Sequence, residues 1–336
     1  NYQAGSGRAA DNQVLRLLTL LAQRTSWRDR PPSVVAEIAD VRNHELAEIA
    51  SAGRLFLVKS SRLLGKLLVQ SAIHPGLSEV YRQLFDFSSH ALRVSFQPRY
   101  HGHTIGALHR CLEGAILLGV VSPEFNAGWV SYQARLNPPD DHVVTAPEGI
   151  VYLSDRERPL LMAAQTSPPT TTIAANAVGV ATEQNWRNVL LIGWNNEIHD
   201  VIREFAEQAD EAIAITVLSA LDEEQARQQI AQFATAAMDA VTLTCVQAAT
   251  DIRATYDHLA ISGFDLIVVL ADQLIDDNDI DANTLRVLLQ LSQQPLAART
   301  RRIVQLQDAA SRELMRGLAV DEVIVSRDVI SAQLAQ

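Results

Sequence analysis

Two cysteines in 336 residues cannot build a disulfide framework. Cys111 and Cys245 lie far apart and read as buried thiols of a protein from a reducing compartment. No apolar run approaches the roughly 18 residues that a membrane-spanning helix needs. The opening stretch, Asn1 to Gly7, is polar and lacks the apolar core of a signal peptide. Positive charge is scarce. The 28 Lys and Arg against 39 Asp and Glu leave a net charge of −11, which disfavours a nucleic-acid backbone as partner. Catalytic signatures are missing too. There is no G-x-S-x-G, no H-E-x-x-H, no P-loop and no nucleophile patterned with a base, so nothing argues positively for an enzyme.

What the chain does have is an ordinary globular composition, 48% apolar and 20% charged, and an internal repeat. Asp11-Asn12-Gln13-Val14-Leu15-Arg16-Leu17-Leu18 returns as Asp281-Ala282-Asn283-Thr284-Leu285-Arg286-Val287-Leu288. Val34 to Asp40 is answered by Arg302 to Asp308, Glu45-Leu46 by Glu313-Leu314, and Leu57 to Ser60 by Val323 to Ser326. Blocks in one order with nearly constant spacing mark two copies of one α/β unit.

In the first copy, apolar spacing predicts a helix over 11–24, a strand over Val34–Ile38, a helix over 43–51, a strand over Leu55–Val58 and a helix capped by Ser60 or Ser61. From about residue 88 the pattern changes to short strands, Ala91–Phe96, Ala115–Val121, Trp129–Leu136 and Gly149–Leu153, with one helix near Ile105–Leu112. Residues 163–185, rich in Ala, Thr and Pro, read as an extended linker. A second α/β unit starts at Arg187, with strands predicted over Asn188–Gly193, Ala212–Leu218, Val241–Val246 and Phe264–Leu270 before the repeated block. Strands alternating with helices predict parallel sheet covered on both faces. The second copy carries three strands and their helices ahead of the repeated block, whereas the first copy begins almost at it. The first half of the first lobe and the end of the second module are therefore expected to lie outside this chain.

Few residues carry chemistry. Ile192-Gly193-Trp194-Asn195-Asn196-Glu197 stands where a dinucleotide fingerprint would lie, but only Gly193 fits it, and Glu197 brings negative charge to the place of the pyrophosphate. The next strand ends in Leu218-Ser219, without an acidic residue for a ribose, so no NAD is expected. The densest acidic run is Asp276-Asp277-Asn278-Asp279-Ile280-Asp281. Its alternating oxygens suit a hard cation such as Ca2+ with Asp276, Asp277, Asp279 and Asp281 as ligands, or a helix cap by Asp279 or Asp281. His101, His103 and His109 lack a completing ligand set and read as surface or structural histidines. Asp140-Asp141-His142 reads as turn chemistry.

Three stretches together resemble the CASTOR/POLLUX ion channels: Val35 to Asp40, Leu68 to Leu77 with its Gln70-x-Ala72-x-x-Pro75-Gly76-Leu77 core, and Leu136 to Val144 through Glu148-Gly149. The strand ending in Gly193-Trp194 fits as well. The resemblance runs over most of residues 9–336 and implies tandem modules of the RCK type (regulator of K+ conductance). On that template residues 9–70 are the second half of the first Rossmann lobe, and 71–160 the helical crossover and a small α+β subdomain. Residues 161–186 are a linker and 187–336 the second Rossmann lobe. The resemblance implies a cytosolic gating region of a cation channel, on the cytoplasmic side of the membrane, as a homo-oligomer in a tetrameric ring. Its transmembrane pore is absent from this chain, and Ca2+ is the candidate regulator. Two other classes remain open: a nucleotide-binding gating subunit of a K+ uptake system, and a Rossmann-type oxidoreductase.

Overall fold

The computed structural model describes residues 7–23, 34–51, 55–84, 90–126, 129–155, 160–161, 186–209, 211–233, 236–275 and 279–335. Among them no helix is long and apolar enough to cross a membrane. The chain divides into two compact units, one of Asn1–Glu79 with Ala181–Gln336 and one of Val80–Val180. Pro31-Pro32 and nearly all of the expected linker lie outside the described residues.

The first copy of the repeat runs α1 (Gly7–Ala22), β1 (Val34–Glu37), a 3-10 turn (Val41–Asn43), α2 (His44–Ala50), β2 (Leu55–Val58), α3 (Ser60–Ile73) and α4 (Leu77–Leu84). β1 and β2 pair in parallel, Val34 opposite Leu55. Leu18, Ile38 and Ala47 form a small core on one face of this ribbon. On the other face the register partners Val35 and Phe56 are 46% and 64% exposed.

The second unit contains β3 (Ala91–Ser95), α5 (Ile105–Cys111), β4 (Leu112–Glu113), β5 (Ala115–Asn126), β6 (Trp129–Leu136), β7 (Gly149–Ser154) and β8 (Leu160–Leu161). Four of these strands form an antiparallel sheet in the order β3-β7-β5-β6, and β4 pairs with β8. Thr104 caps α5, its hydroxyl accepting from the Ala107 amide at 3.2 Å. Leu108, Leu117, Val120, Ile150 and Tyr152 form a core on the α5 side of the sheet. β5 runs to Asn126, past the predicted end at Val121 and through Pro123. Its ladder with β7 stops at Val121, so from there only β6 lies beside it, a place where a strand tolerates proline.

The rest of the first unit holds β9 (Asn188–Ile192), α6 (Ile198–Gln208), β10 (Ile213–Ser219), α7 (Glu223–Ala231), β11 (Val241–Gln247), α8 (Arg253–His258), β12 (Leu266–Val269), α9 (Ile280–Ser292), β13 (Arg301–Leu306), β14 (Glu322–Val325) and α10 (Ser326–Ala335). Its strands make one six-stranded sheet in the order β11-β10-β9-β12-β13-β14, every pair parallel. The strand order reverses between β9 and β12, the arrangement of a doubly wound α/β lobe. Val189–Ile192 and Leu266–Val269 are buried throughout, as continuous apolar runs covered on both faces must be. The fold class is thus the expected one, α/β with parallel Rossmann-type sheet and a small α+β unit between the two copies.

The repeat extends to hydrogen bonds. Asp11 near the start of α1 accepts from the amides of Ala39 and Asp40, each at 3.0 Å. Asp281 in the first turn of α9 accepts from Gln307 and Asp308 at 2.8 and 3.0 Å. Asp40 and Asp308 then cap the 3-10 turns that follow, accepting from Arg42 and Ala310. Each copy uses a helix carboxylate to hold the end of the next strand, satisfying amides that β-pairing leaves open.

The copies lie in one compact unit and share helices. α3 of the first copy packs on α6, β13 and β14, and α10 of the second packs on α3 and β1. Leu64, Leu67, Leu68, Val69 and Ala72 of α3 are buried, leaving the helix little free face. Gly65 sits where α3 meets α6. A side chain there would start 2.9 Å from the Asp200 Cβ, so glycine sets the approach of the two helices. At the C-terminal end of α3, Arg301 donates to the carbonyls of Ser71 and Ala72. Glu322, 3.8 Å from Arg301, accepts from the Gly76 amide at 2.5 Å and from the Ser78 hydroxyl.

Two variants test this joint by urea denaturation. Gly65→Leu, which overpacks the crossing, is expected to cost about 1–3 kcal/mol. Arg301→Ala leaves Glu322 buried without its cation and is expected to cost about 3–5 kcal/mol, part of it recovered by Glu322→Gln in the same chain. Wild-type midpoints for both would mean that the copies are joined elsewhere.

Candidate functional site

A doubly wound sheet binds ligands at the carboxyl ends of its strands, where the order reverses. Here that point lies between the turns after β9 and β12, and the chain fills it with its own groups. Gly193 takes a positive φ of 94°, and a Cβ there would lie 3.0 Å from the Leu270 carbonyl oxygen. The amides a pyrophosphate would need are engaged. Trp194 donates to Asp272 at 3.4 Å, Asn196 to the Gln273 side chain at 3.1 Å, and Glu197 to Asn195 Oδ1 at 3.1 Å. Gln273 returns its amide to the Trp194 carbonyl at 2.7 Å. Trp194 and Glu197 are both buried. These residues do not fit a dinucleotide.

Behind the turn lies a buried polar network. Gln305 Oε1 accepts from Asn195 Nδ2 at 2.8 Å and from the Ala271 amide at 3.3 Å, while its own amide group donates to Ser326 Oγ at 2.8 Å. Glu197 is only 8% exposed, and its Oε2 has no hydrogen-bond partner.

In front of it, a cleft of about 50 Å3 brings the two copies together. Asp40 and Arg42 of the first copy form one wall; Trp194, Asn196, His199 and Phe233 line the other. Arg42 pairs with Asp40 at 2.5 Å and keeps half of its side chain exposed. The His199 ring stacks on Phe233 with centroids 4.2 Å apart, and its Nε2 lies 3.4 Å from Asp200, which Arg203 also pairs. Sequence reading passed over this cleft, because its walls come from segments about 150 residues apart in number. The one available signal was the repeated Asp40.

The acidic run is divided. Asp276 and Asp277 lie outside the described residues. Asp279 is exposed at the N-cap of α9 and makes no capping bond, and both oxygens of Asp281 accept the amides of Gln307 and Asp308. Among the described residues no group of three or more His, Cys, Asp or Glu is placed to hold a metal ion. His101 bonds the Glu148 carbonyl at 3.1 Å, and His142 sits between Arg135 and the Glu148 carboxylate, which also accepts the Thr145 amide.

The geometry defines a Rossmann-type lobe whose nucleotide turn is closed by its own side chains. Residues 61–168 match the family model described as Castor and Pollux, part of voltage-gated ion channel. The chain is similar to the probable ion channel POLLUX of Arabidopsis thaliana, 21% identical over 285 residues, 83% of this chain and 33% of that protein. It is similar also to the ion channel CASTOR of Lotus japonicus, 19% identical over 288 residues, 83% of this chain and 32% of that protein. The resemblance to the CASTOR/POLLUX channels therefore holds, and the chain spans about a third of the length of these relatives. Among solved structures, the GsuK RCK domain aligns with a TM-score of 0.44 and 14% identity, covering 97% of this chain and 59% of that one. A GsuK channel bound to NAD aligns at 0.45 and 13%, covering 97% and 49%. The expectation of no NAD gains no support from that neighbour.

The buried groups make stability depend on pH. Burial pushes the Glu197 carboxyl up to about 7, with the Asp200 and Glu37 carboxylates adding to the rise; its hydrogen bonds to its own backbone and to Gln305 oppose it. Burial lowers His199, with Asp200 and Asp40 opposing and Arg203 and Arg42 reinforcing the shift. From its ordinary 4.5 up to about 7, Glu197 is ionised in the unfolded chain and protonated in the folded one. Its contribution is thus present at low pH and lost as pH rises across that window, by about 3 kcal/mol in all. His199 acts in the opposite sense, its contribution falling away below the ordinary histidine value of 6.5. Glu197→Gln is expected to remove the loss between pH 4.5 and 7 and to keep the acid-side loss, as read from urea midpoints against pH. A pH profile parallel to wild type would show Glu197 to be ionised throughout.

Proposed function

We propose that this chain is the cytosolic gating region of a cation channel related to CASTOR and POLLUX. It works as a homo-oligomeric ring of four subunits beneath a pore carried by the rest of the protein, and it senses rather than transforms its ligand. The observation that carries this reading, beside the family resemblance, is the cleft shared by Asp40–Arg42 and Trp194–His199. A ligand seated there touches both copies of the repeat, so its affinity depends on how they are placed, which is the condition for shifting a conformational equilibrium. The size of the cleft and the engaged amides favour an ion or small molecule over a dinucleotide. Ca2+ is the ion we assign to the acidic run, held by Asp276, Asp277 and Asp279. Asp281 is left out of the set, since both its oxygens already accept amides.

Calorimetry and thermal unfolding with Ca2+ test the assignment. Heat of binding is expected, with a stabilisation of about 2.7 kcal/mol at 100 times the dissociation constant. Asp276→Asn with Asp277→Asn is expected to abolish both. Absence of heat and of any shift would remove Ca2+ from the reading. A rise in midpoint with NAD would instead favour a nucleotide-binding gating subunit.

A further inference from the structure

Among the described residues, the four-stranded sheet of the second unit packs one face on the α5 core and leaves most large apolar side chains of the other exposed, with Val121 and Val151 buried between them. Directly paired residues of an antiparallel sheet project to the same side. Leu92, Leu153 and Ile116 are paired across β3, β7 and β5, as are Val94, Val151, Gly119 and Leu136 across all four strands. Tyr132 and Val130 oppose Pro123 and Phe125 further along the β5–β6 hairpin. This side is the one away from the α5 core. Phe96 completes it, its ring lying against Gly149, where a Cβ would clash at 2.7 Å, and 5.7 Å from the Tyr132 ring.

The exposures are large. Ile116 is 61% exposed, Phe125 74%, Tyr132 59% and Leu136 63%, with Leu92, Val94, Phe96 and Val130 between 41% and 50%. Together these eight side chains present on the order of 800 Å2, the area one partner buries in a stable interface of standard size. Monomers seldom expose a continuous apolar patch above a few hundred Å2. The hairpin alternates as a buried ribbon does. Ser122, Glu124, Gln133 and Arg135 occupy the opposite parity, so the positions sharing the apolar face carry no charge. A face without charge gives no electrostatic choice of partner, and aligned packing of two sheets places a second such face about 10 Å away.

We propose that this sheet face is a self-association surface, covered by the same face of a second copy of this chain across a two-fold axis. The inference rests on the homo-oligomer of the proposed function and names the surface that builds it. It stands on the second unit's own geometry and leaves the shared cleft aside.

The test is the mass of the full chain by light scattering and sedimentation over a range of concentrations. The wild type is expected to be a dimer or a multiple of one. Ile116→Thr with Leu136→Thr, and separately Phe125→Lys, are expected to weaken association at least tenfold and to halve the mass at fixed concentration. Gln133→Lys on the opposite face is the control. All sites are exposed, so circular dichroism and the thermal midpoint are expected to stay at wild-type values; a Thr variant that unfolds is replaced in the comparison by Phe125→Lys. An oligomer unchanged by the face variants would overturn this surface while leaving assembly intact. A wild-type monomer at high concentration would overturn the surface and the homo-oligomer together, and a monomer destabilised by the face variants would show that another part of the chain covers the sheet.

Discussion

The end of α3 is the point on which the larger unit depends. Its last carbonyls have no intrahelical partners, and Arg301 of the second copy supplies the donors. A guanidinium is also well placed at the negative end of a helix. Glu322 neutralises that buried cation and holds the turn after the helix through Gly76 and Ser78. Buried ion pairs contribute little in isolation, because desolvation offsets the attraction. This one has a different role: it fixes one geometry for a helix that the first copy makes and the second copy covers. Gly65 at the crossing with α6 then needs no adjustment, since the helix already lies where only glycine fits.

The same economy governs the turn after β9. A Rossmann turn offers several amides to one ligand, and here Asp272, Gln273 and Asn195 take them one by one. The polar groups behind it are satisfied through Gln305, apart from an oxygen of Glu197, whose carboxyl burial pushes up to about 7. The first copy has Glu37 at the position of Gln305, and its charge reaches Glu197. One repeated position thus serves as a neutral connector in one copy and as a source of field in the other. The duplicated scaffold has diverged where the copies meet.

Much of this was legible in the chain. Apolar periodicity located the strands of both copies, because a parallel strand covered on two faces must be apolar throughout. Leu190 to Ile192 and Leu266 to Val269 could be little else. The lone Gly193 and the acidic Glu197 set this turn apart from a nucleotide fingerprint in the sequence. Asp11 and Asp281 stood at matching places in the repeat, but their role was hidden, since each finds its amides between 26 and 29 residues further on. Asp281 drew attention as part of an acidic run, whereas its bonds are those of its counterpart Asp11. The cleft was illegible for the same reason on a longer scale. So was the bare sheet face: alternation along β5 and β6 shows two kinds of surface, and only pairing shows which residues join into one.

The joint between Glu322 and Gly76 spans 246 positions of sequence. On a ribosome adding about 5–20 residues per second, the finished α3 waits on the order of 12–50 seconds for the residue that fastens it. Until α6, β13 and β14 have emerged, its apolar flanks, Leu64, Leu67 and Leu68 among them, lack their full set of partners. The small antiparallel module is completed during the wait, having all its described strands to hand by Leu161.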